Sequence, residues 1–431
     1  MEENKTIFQQ FFQLNRKAIP YLAILFLVVN LLLQVKFFGD FFLNTKPNAD
    51  ETGYRFFVEN THQFSWSLFS NSSAQPFSLL TYLFNLIFND AQFTIRFVSL
   101  LSSLGCFAFL FIYYRKNRFI EIVEGNKTLN NLIIFNVLFA VFFILSCHFI
   151  GTSDAFSVAF AIPGFILLTE VLLNNKRHNV IFIGALFAIS FTSRPTFLIV
   201  LFAYLLSLLL FFSSKLFTKK LILVGVFFAF FTAIINYSPL LNKGKIVLDV
   251  KEIPSNTGTS WFEMNYLMAK KWDSGEIPNT QWLSATDVIN FKKENPNFIF
   301  PKNQLDILLN DTSFFFRQMF RMFSVSMYTS FRYLYFLFPF LIFYIFLKDK
   351  GSTSLASKKV YFTVSFYFIS LIVFMISAFK LMEFRWMYIL IVFYAFYAIH
   401  FSKGILHEKR IVLFNLIFLS GIGFFVLKML K

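Results

Sequence analysis

The stretch "VIFIGALFAISFTSRPTFLIVLFAYLLSLLLFF", residues 180–212, decides how this chain folds. As one helix it would be about 50 Å long, well over the roughly 30 Å hydrocarbon thickness of a bilayer. Pro195 biases Arg194 away from helical backbone, so two short spans that meet at "TSRP" fit better. The first of them has 14 residues, about 21 Å, so we expect the turn at Arg194 to lie below the membrane surface.

The rest of the chain has the same apolar character. Its 431 residues are 57% hydrophobic and only 14% charged, whereas soluble domains carry about 25% charged residues. Apolar runs of roughly 17–25 residues recur along the chain, which predicts an integral membrane protein. The net charge is +16, and the lysine and arginine residues cluster in short loops between these runs. The positive-inside rule explains such loops without nucleic acid, and specific lipid-binding patches stay an alternative.

The alternation of apolar runs with basic loops predicts an all-α fold of about 11 transmembrane helices. We treat 1–431 as a single polytopic membrane domain. The expected spans are about 18–38, 94–114, 129–149, 155–173, two within 180–212, 221–241, 327–347, 360–378, 386–402 and 411–428.

Two loops on the outer face are long. Residues 39–93 carry an acidic pair and should form amphipathic juxtamembrane helices. Residues 242–323 hold three probable helices, "SWFEMNYLMAKKW", "SATDVINFKKEN" and "DTSFFFRQMFRMF", and predict a small helical cap. The first has apolar residues at helical spacing, and the second opens with Ser284 three residues before Asp287, close to a capping box. The first apolar run has no cleavage site after it, so we interpret it as a signal anchor with a cytoplasmic N-terminus. The compact loops favour a bacterial inner (plasma) membrane over the endoplasmic reticulum.

Unusual polar residues gather on the predicted outer face. Charges at membrane depth cost about 2.5–3.5 kcal/mol each on insertion scales, so they usually mark a function. An acid pair near several arginines suits deprotonation of an acceptor hydroxyl and neutralisation of a phosphate leaving group. The residues concerned are Asp50, Glu51, Arg96, His148, Asp154, Arg194, Lys380, Glu383 and Arg385.

The acid pair also has a structural explanation. Asn48 is a suitable N-cap, and acids in the first turn of a helix interact favourably with its dipole. A carboxylate stabilised in this way stays ionised and can still accept a proton from a hydroxyl. The structural and chemical readings of Asp50 and Glu51 are therefore compatible.

The other polar residues have structural alternatives as well. Arg96 could anchor the outer end of its span by snorkelling, and Asp154 could cap the span that follows it. Glu383 and Arg385 could form a local ion pair at the membrane interface. His148 is best explained by packing or an interfacial hydrogen bond.

No metal or nucleotide motif is present in the sequence. The five histidines are scattered, and there is no HExxH and no cysteine pair at zinc spacing. GxxxxGK[ST] and GxGxxG loops are absent too, which argues against a nucleotide-dependent enzyme. We expect no cofactor and leave metal dependence open.

Four motifs in this order resemble the GT-C superfamily of polytopic glycosyltransferases. They are "ADETGY" (49–54), "QPFSLLTYLFNLIFNDAQFTIRFVSLLSSLG" (75–105), "SFTSRPTFLIV" (190–200) and "MEFRWMY" (382–388). Members of that superfamily include protein O-mannosyltransferases and the bacterial transferase that adds aminoarabinose to lipid A. Two departures concern the subfamily: Pro76 stands alone where a proline pair is usual, and Trp386 replaces a tyrosine or phenylalanine.

The resemblance implies transfer of a sugar from a polyprenyl-phosphate donor lipid to a lipid, glycan or protein acceptor on the non-cytoplasmic face. By that analogy Asp50 is the general base, and Glu51 positions the acceptor or shares the role. Arg194 and Arg385 would hold the donor phosphate. The further substrate-binding candidates are Tyr54, Arg96, Asp154 and Glu383.

Two other classes stay open. One is a glycan polymerase or ligase of the outer leaflet, and the other is a flippase or transporter of lipid-linked sugars. Neither the sugar, the acceptor nor the oligomeric state follows from the sequence.

Overall fold

The computed structural model describes the larger part of the chain. The described ranges are 31–47, 49–61, 74–117, 146–244, 258–278, 281–334, 355–378 and 384–402, with isolated positions within 21–29 and 131–139 and at 65, 246, 338 and 342. These residues form helices and turns, with no strand among them, as the sequence predicts. The predicted span at 411–428, more than half of those at 129–149 and 327–347, and part of the one at 18–38 lie outside the described residues.

The α-helices are numbered here in chain order. They are α1 (Ala49–Glu59), α2 (Gln75–Phe88), α3 (Ala91–Asn117), α4 (Ser153–Leu173), α5 (Val180–Ser193), α6 (Phe197–Phe212), α7 (Lys219–Ile235), α8 (Tyr237–Lys243), α9 (Trp261–Asp273), α10 (Ala285–Glu294), α11 (Gln304–Asn310), α12 (Thr312–Leu334), α13 (Leu355–Ala378) and α14 (Tyr388–Ser402).

Four helices of the described part are long and apolar enough to cross a membrane. They are Ala91–Lys116, Ser153–Leu173, Phe197–Lys215 and Lys358–Ser377, and two shorter apolar helices are Val180–Ser193 and Arg385–Tyr397. This fits a multi-pass membrane protein, but the predicted 11 spans are not confirmed.

The break predicted at "TSRP" is confirmed. α5 ends at Ser193, Arg194 has extended backbone (φ −150°, ψ 114°), and α6 begins at Phe197. α5 packs closely on its neighbours because it carries a small residue at the contact: a Cβ on Gly184 would lie 2.6 Å from Cβ of Phe227 in α7. The short helix thus places Arg194 at the end of a tightly packed group of helices.

Two predicted spans differ from the observed helices. The predicted span 221–241 is divided into α7 and α8 at Asn236, because Pro239 has no N–H to bond the carbonyl of Ile235 and continue the helix. The predicted cap helix at 311–323 and the start of the predicted span 327–347 are one continuous helix, α12. No proline or glycine interrupts that stretch, so nothing in its sequence ends the helix between them.

The helices predicted for the cap are present as α9, α10 and the first turns of α12. Ser284 and Asp287 form the capping box expected for α10, and α9 begins with a second one that the sequence analysis missed, Ser260 with Glu263. The additional helix α11 was not predicted. The cap has its own apolar core of Met264, Leu267, Met268, Leu283 and Val288.

A large core rich in phenylalanine and tyrosine holds the membrane helices together. α4 lies at its centre, and 19 of its 21 residues are buried. One polar contact inside this part of the protein joins α4 to α5, where the Ser157 and Ser190 hydroxyls lie 2.9 Å apart. This packing aligns the start of α4 with the end of α5, and we call this end of the bundle the site end.

Candidate active site

The turn at residues 151–154, just before and at the start of α4, is the centre of the candidate site. The Gly151 N–H donates to Glu51 Oε1 at 2.6 Å, which ties the turn to α1. A Cβ at position 151 would lie 2.4 Å from Cγ1 of Ile95, so only glycine fits between α3 and this bond. Glu51 of the acidic pair is therefore in direct contact with the turn between two predicted spans.

Glu51 and Arg96 form a buried ion pair that holds the first loop, and we call this group the clasp. Arg96 Nε donates to Glu51 Oε1 at 2.9 Å and Nη2 donates to Oε2 at 2.8 Å. The remaining Arg96 donors bond the main-chain carbonyls of Phe42 (2.9 Å), Asn44 and Lys46 (3.2 Å). All five guanidinium N–H groups are thus used within the protein.

The Glu51 carboxylate, like the Arg96 guanidinium, has all its hydrogen bonds within the protein. Besides Arg96 it accepts from Gln92 Nε2 at 2.9 Å and from the N–H of Gly151. Its side chain is 1% exposed, and that of Arg96 is 3% exposed. Buried charges persist only when they are paired and hydrogen-bonded, and the clasp meets that condition on both sides.

Asp154 holds two arginines together, and we call this trio the arginine cluster. Arg194 Nε and Nη2 donate to Asp154 Oδ1 and Oδ2 at 2.7 and 2.6 Å, which is a bidentate pair. Arg385 Nη1 lies 3.5 Å from the same Oδ2, and the Thr152 hydroxyl donates to it at 3.0 Å. Asp154 is 4% exposed, whereas Arg194 and Arg385 are 18% and 21% exposed. The trio has a formal charge of +1 and is partly open to solvent.

Tyr54 connects the acidic helix to the arginine cluster. Its hydroxyl lies 2.9 Å from Oγ of Ser153, the residue before Asp154. Its ring packs edge-on against Phe77 with centroids 5.1 Å apart, so the hydroxyl is held in one direction. The structure therefore brings together the sequence candidates Glu51, Tyr54, Arg96, Asp154, Arg194 and Arg385.

The four other candidates are placed differently. Asp50 lies in the first turn of α1, and its side chain is outside what the structure describes, as are Lys380 and Glu383. His148 is fully buried, and its Nε2 lies 2.8 Å from Oε1 of Gln34, in agreement with the expected packing role.

Several residues of the site were missed at the sequence level. Gln92, Thr152 and Ser153 contact the candidates directly, and the Ser99 hydroxyl donates to the Thr152 carbonyl at 2.9 Å. Short polar side chains of this kind are common at helix ends, so residue type alone did not distinguish them. One signal was present in the sequence, the turn "GTSD" at 151–154, which has a glycine and an acid within four residues.

Among the described residues, no group of three or more histidine, cysteine, aspartate or glutamate side chains is placed to hold a metal ion. The charged groups that converge at the turn are therefore carboxylates and guanidiniums. Such a set can accept a proton and bind an anion.

Residues 76–238 match the sequence model of the family described as dolichyl-phosphate-mannose-protein mannosyltransferase. The matched segment contains Arg96, Asp154 and Arg194, and it lacks α1 and the turn with Arg385. The match covers less than half of the chain and supports a GT-C glycosyltransferase. It includes the motif at 190–200 and nearly all of the one at 75–105, whereas the motifs at 49–54 and 382–388 lie outside it. No curated protein and no solved structure matches the chain.

Proposed function

We propose that this membrane protein transfers a sugar from a polyprenyl-phosphate donor to an acceptor hydroxyl on the non-cytoplasmic face. The family match supports a glycosyltransferase of mannosyltransferase type, and mannose is the sugar its description names. The observation that carries the proposal is the arginine cluster: Arg194 and Arg385 meet on Asp154, within the turn that also binds Glu51.

The arginine cluster suits the phosphate of the donor. Asp154 holds the guanidinium of Arg194 in a fixed plane and draws Arg385 alongside it. Arginine forks match phosphate oxygens in a bidentate manner, and charge-assisted bonds of this kind are about twice as strong as neutral ones. As the bond between the sugar and the phosphate breaks, negative charge grows on the leaving phosphate, where a prepositioned cation lowers the barrier most.

Asp50 is the proposed general base. It removes the proton from the acceptor hydroxyl while that oxygen bonds the anomeric carbon of the sugar. The bond between this carbon and the phosphate oxygen breaks, and the polyprenyl phosphate leaves with the electron pair. Glu51, the next residue in α1, accepts four hydrogen bonds already, so the proton-accepting role falls to its neighbour.

The clasp positions this base. Arg96 joins Glu51 to the carbonyls that precede α1, and so fixes the start of the helix on α3. Tyr54 makes a second attachment, one turn further along α1, to Ser153. In this proposal Glu51, Arg96 and Tyr54 hold α1 in place beside the turn and do not bind the phosphate themselves.

The proposal is tested with Asp50→Asn in lipid nanodiscs supplied with polyprenyl-phosphate mannose. We expect transfer to fall by about 10²–10⁴-fold, the usual contribution of a general base, while donor binding is retained. Asp40→Asn is the matched control, since Asp40 is an exposed acid in the same loop. Unchanged transfer by the Asp50 variant would contradict the assignment.

Product analysis in the same assay separates the other classes. A transferase adds a single sugar to the acceptor, and a polymerase or ligase moves whole glycans or makes ladders. A flippase moves the lipid without forming a new bond. Only the first product agrees with the proposed function.

A further inference from the structure

The side-chain amide of Gln318, in α12, is buried without a hydrogen bond. The residue is 0% exposed, and neither Nε2 nor Oε1 has a partner within the described part of the chain. A buried polar group in that state has lost its bonds to water and gained none, which destabilises the ligand-free protein. Such groups are rare in native structures and call for a reason.

Gln318 lies at the seam between the cap and the membrane bundle. Phe314, one turn earlier on the same face of α12, belongs to the apolar core that includes Tyr266 of the cap. Met322, one turn later, belongs to the core of the membrane bundle. An apolar side chain would join these two cores without cost, yet the chain places an amide between them.

The direction of α13 shows which end of the bundle this seam faces. α13 starts at the end opposite the site, because the Lys359 ammonium contacts Oδ1 of Asn174, just past the C-terminus of α4. It therefore runs towards the site end, where the turn with Arg385 follows it.

α7 ends at the site end, because Gln75 Nε2 at the start of α2 donates to Asn236 Oδ1 at 2.9 Å and Phe77 of α2 packs on Tyr54. Among the described residues no candidate span lies between α8 and α12, so α12 enters the bundle from the site end. α12 packs against α13, which runs towards the site end, so the two helices are antiparallel.

The register of this pair places Gln318 level with the site. The Ser330 and Tyr367 hydroxyls lie 2.6 Å apart and mark one height on α12 and α13. Gln318 precedes Ser330 by a distance of about 18 Å along the helix, and α13 extends about 17 Å beyond Tyr367 to its end at Ala378. Gln318 is thus at the height of the turn that carries Arg385.

We infer that Gln318 is a sugar-binding residue, whose amide bonds a hydroxyl group of the sugar on the donor lipid. A primary amide offers both a donor and an acceptor, which matches a hydroxyl group. A phosphate held by Arg385 would bring the attached sugar to the same height. Since the amide is covered in this structure, the sugar reaches it when the seam between cap and bundle opens. This inference rests on the proposed function.

The test measures lipid affinity and melting temperature in nanodiscs, with two lipids. The lipids are polyprenyl-phosphate mannose and the same polyprenyl phosphate without a sugar. For Gln318→Leu we expect affinity for the mannose lipid to fall about tenfold, the effect of losing roughly two neutral hydrogen bonds, with affinity for the bare lipid unchanged. The melting temperature should stay the same or rise, because an unpaired amide has been replaced by an apolar group of similar size.

Two control variants give the experiment its reference points. Ser324→Ala, on the exposed side of α12, should change neither affinity. Gln92→Leu should lower the melting temperature, because the Gln92 amide donates to Glu51, whereas the Gln318 amide bonds nothing. The two glutamine substitutions should therefore change the melting temperature in opposite directions, or by clearly different amounts.

Several outcomes overturn the inference. One is equal affinity of the Gln318→Leu variant and wild type for the mannose lipid. Another is a lower melting temperature, or failure to fold, of both Gln318→Leu and Gln318→Met, because this would show a structural role for the amide. If wild type binds neither lipid, the proposed function fails and the inference fails with it, which is distinct from the first outcome.

Discussion

The clasp and the arginine cluster lie on either side of the same four-residue turn, yet they differ in every property that matters for binding. In the clasp, one arginine and one carboxylate are 3% and 1% exposed, and all five arginine donors are used. In the cluster, two arginines share one carboxylate and are 18% and 21% exposed. The comparison teaches that two arginines near the ends of predicted spans can differ in this chain, one being buried in the framework and the other being partly exposed to solvent.

The largest effect is expected from breaking the clasp. Arg96→Met leaves Glu51 as a buried charge without its counter-ion, which typically costs about 3–5 kcal/mol of folding free energy. We expect a large drop in the melting temperature in nanodiscs, together with loss of transfer, because α1 is released from α3. A stable variant with weakened donor binding would instead show that Arg96 contacts the phosphate.

Opening the arginine cluster should have a smaller and different effect. Arg385→Gln leaves Asp154 paired with Arg194, so stability should change little. Affinity for polyprenyl phosphate should fall by about 10–100-fold, since a charge-assisted hydrogen bond contributes about 1.5–3 kcal/mol.

The matched control for the cluster is Arg55→Gln. Arg55 pairs with Glu59 at 2.6 Å on α1, but both are 38% or more exposed, and such pairs contribute little. Neither stability nor affinity should respond. Equal losses of affinity in the two variants would mean that general surface charge attracts the lipid.

The turn that connects the clasp to the arginine cluster can be tested by a substitution at Gly151. Gly151→Ala would place a Cβ 2.4 Å from Cγ1 of Ile95, so α3 and the turn must separate. We expect a loss of about 1–3 kcal/mol in the free energy of unfolding, typical of overpacking, and a lower rate of transfer. Gly151→Ala should cost less stability in an Ile95→Ala background if the clash is the cause, because alanine lacks Cγ1 and Cδ1. An equal cost in both backgrounds would place the strain elsewhere.

The sequence predicted the position of these groups better than their roles. The break at Arg194 followed from Pro195 and from the length of the apolar run, which are local properties. By contrast, Arg96 and Arg194 look alike in sequence, because each is an arginine near the end of a span. What separates them is the set of carbonyls at Phe42, Asn44 and Lys46, about fifty positions before Arg96, and only the folded chain brings those carbonyls to it.

The fold shows the same division between local and distant causes. The capping box of Ser284 and the apolar spacing of α9 are readable along the chain, and the cap helices were predicted from them. Asp154 pairs with two arginines that lie 40 and 231 positions away in the chain. This pairing depends on how α4, α5 and the turn at Arg385 pack, and a local sequence pattern does not predict that packing.

The smallest effect concerns a half-buried ion pair in the cap, between Lys270 and Asp311, which extends the comparison to a third case. Burial works against ionisation of Asp311, but the Lys270 ammonium and the Phe314 N–H hold the pKa of that carboxyl below its usual range. The pair therefore stabilises the cap above the ordinary carboxyl pKa and ceases to do so as the pH falls through the lowered value.

Hydrogen exchange of α9 checks this dependence. We expect the protection factors of its amides, the intrinsic exchange rates divided by the observed rates at the same pH, to be modestly lower at acidic pH than at pH 7, and Lys270→Met should remove most of the difference. Protection factors that are higher in acid than at pH 7 would have the wrong sign for this pair.

The central claim is that the arginine cluster holds the phosphate of the donor beside the acidic helix. A cryo-EM map of the protein with bound polyprenyl phosphate tests it most directly. We predict the phosphate within hydrogen-bonding distance of the guanidinium groups of both Arg194 and Arg385, with the Glu51–Arg96 pair unchanged. A phosphate bound at Arg96, or at a place remote from Asp154, would contradict the account.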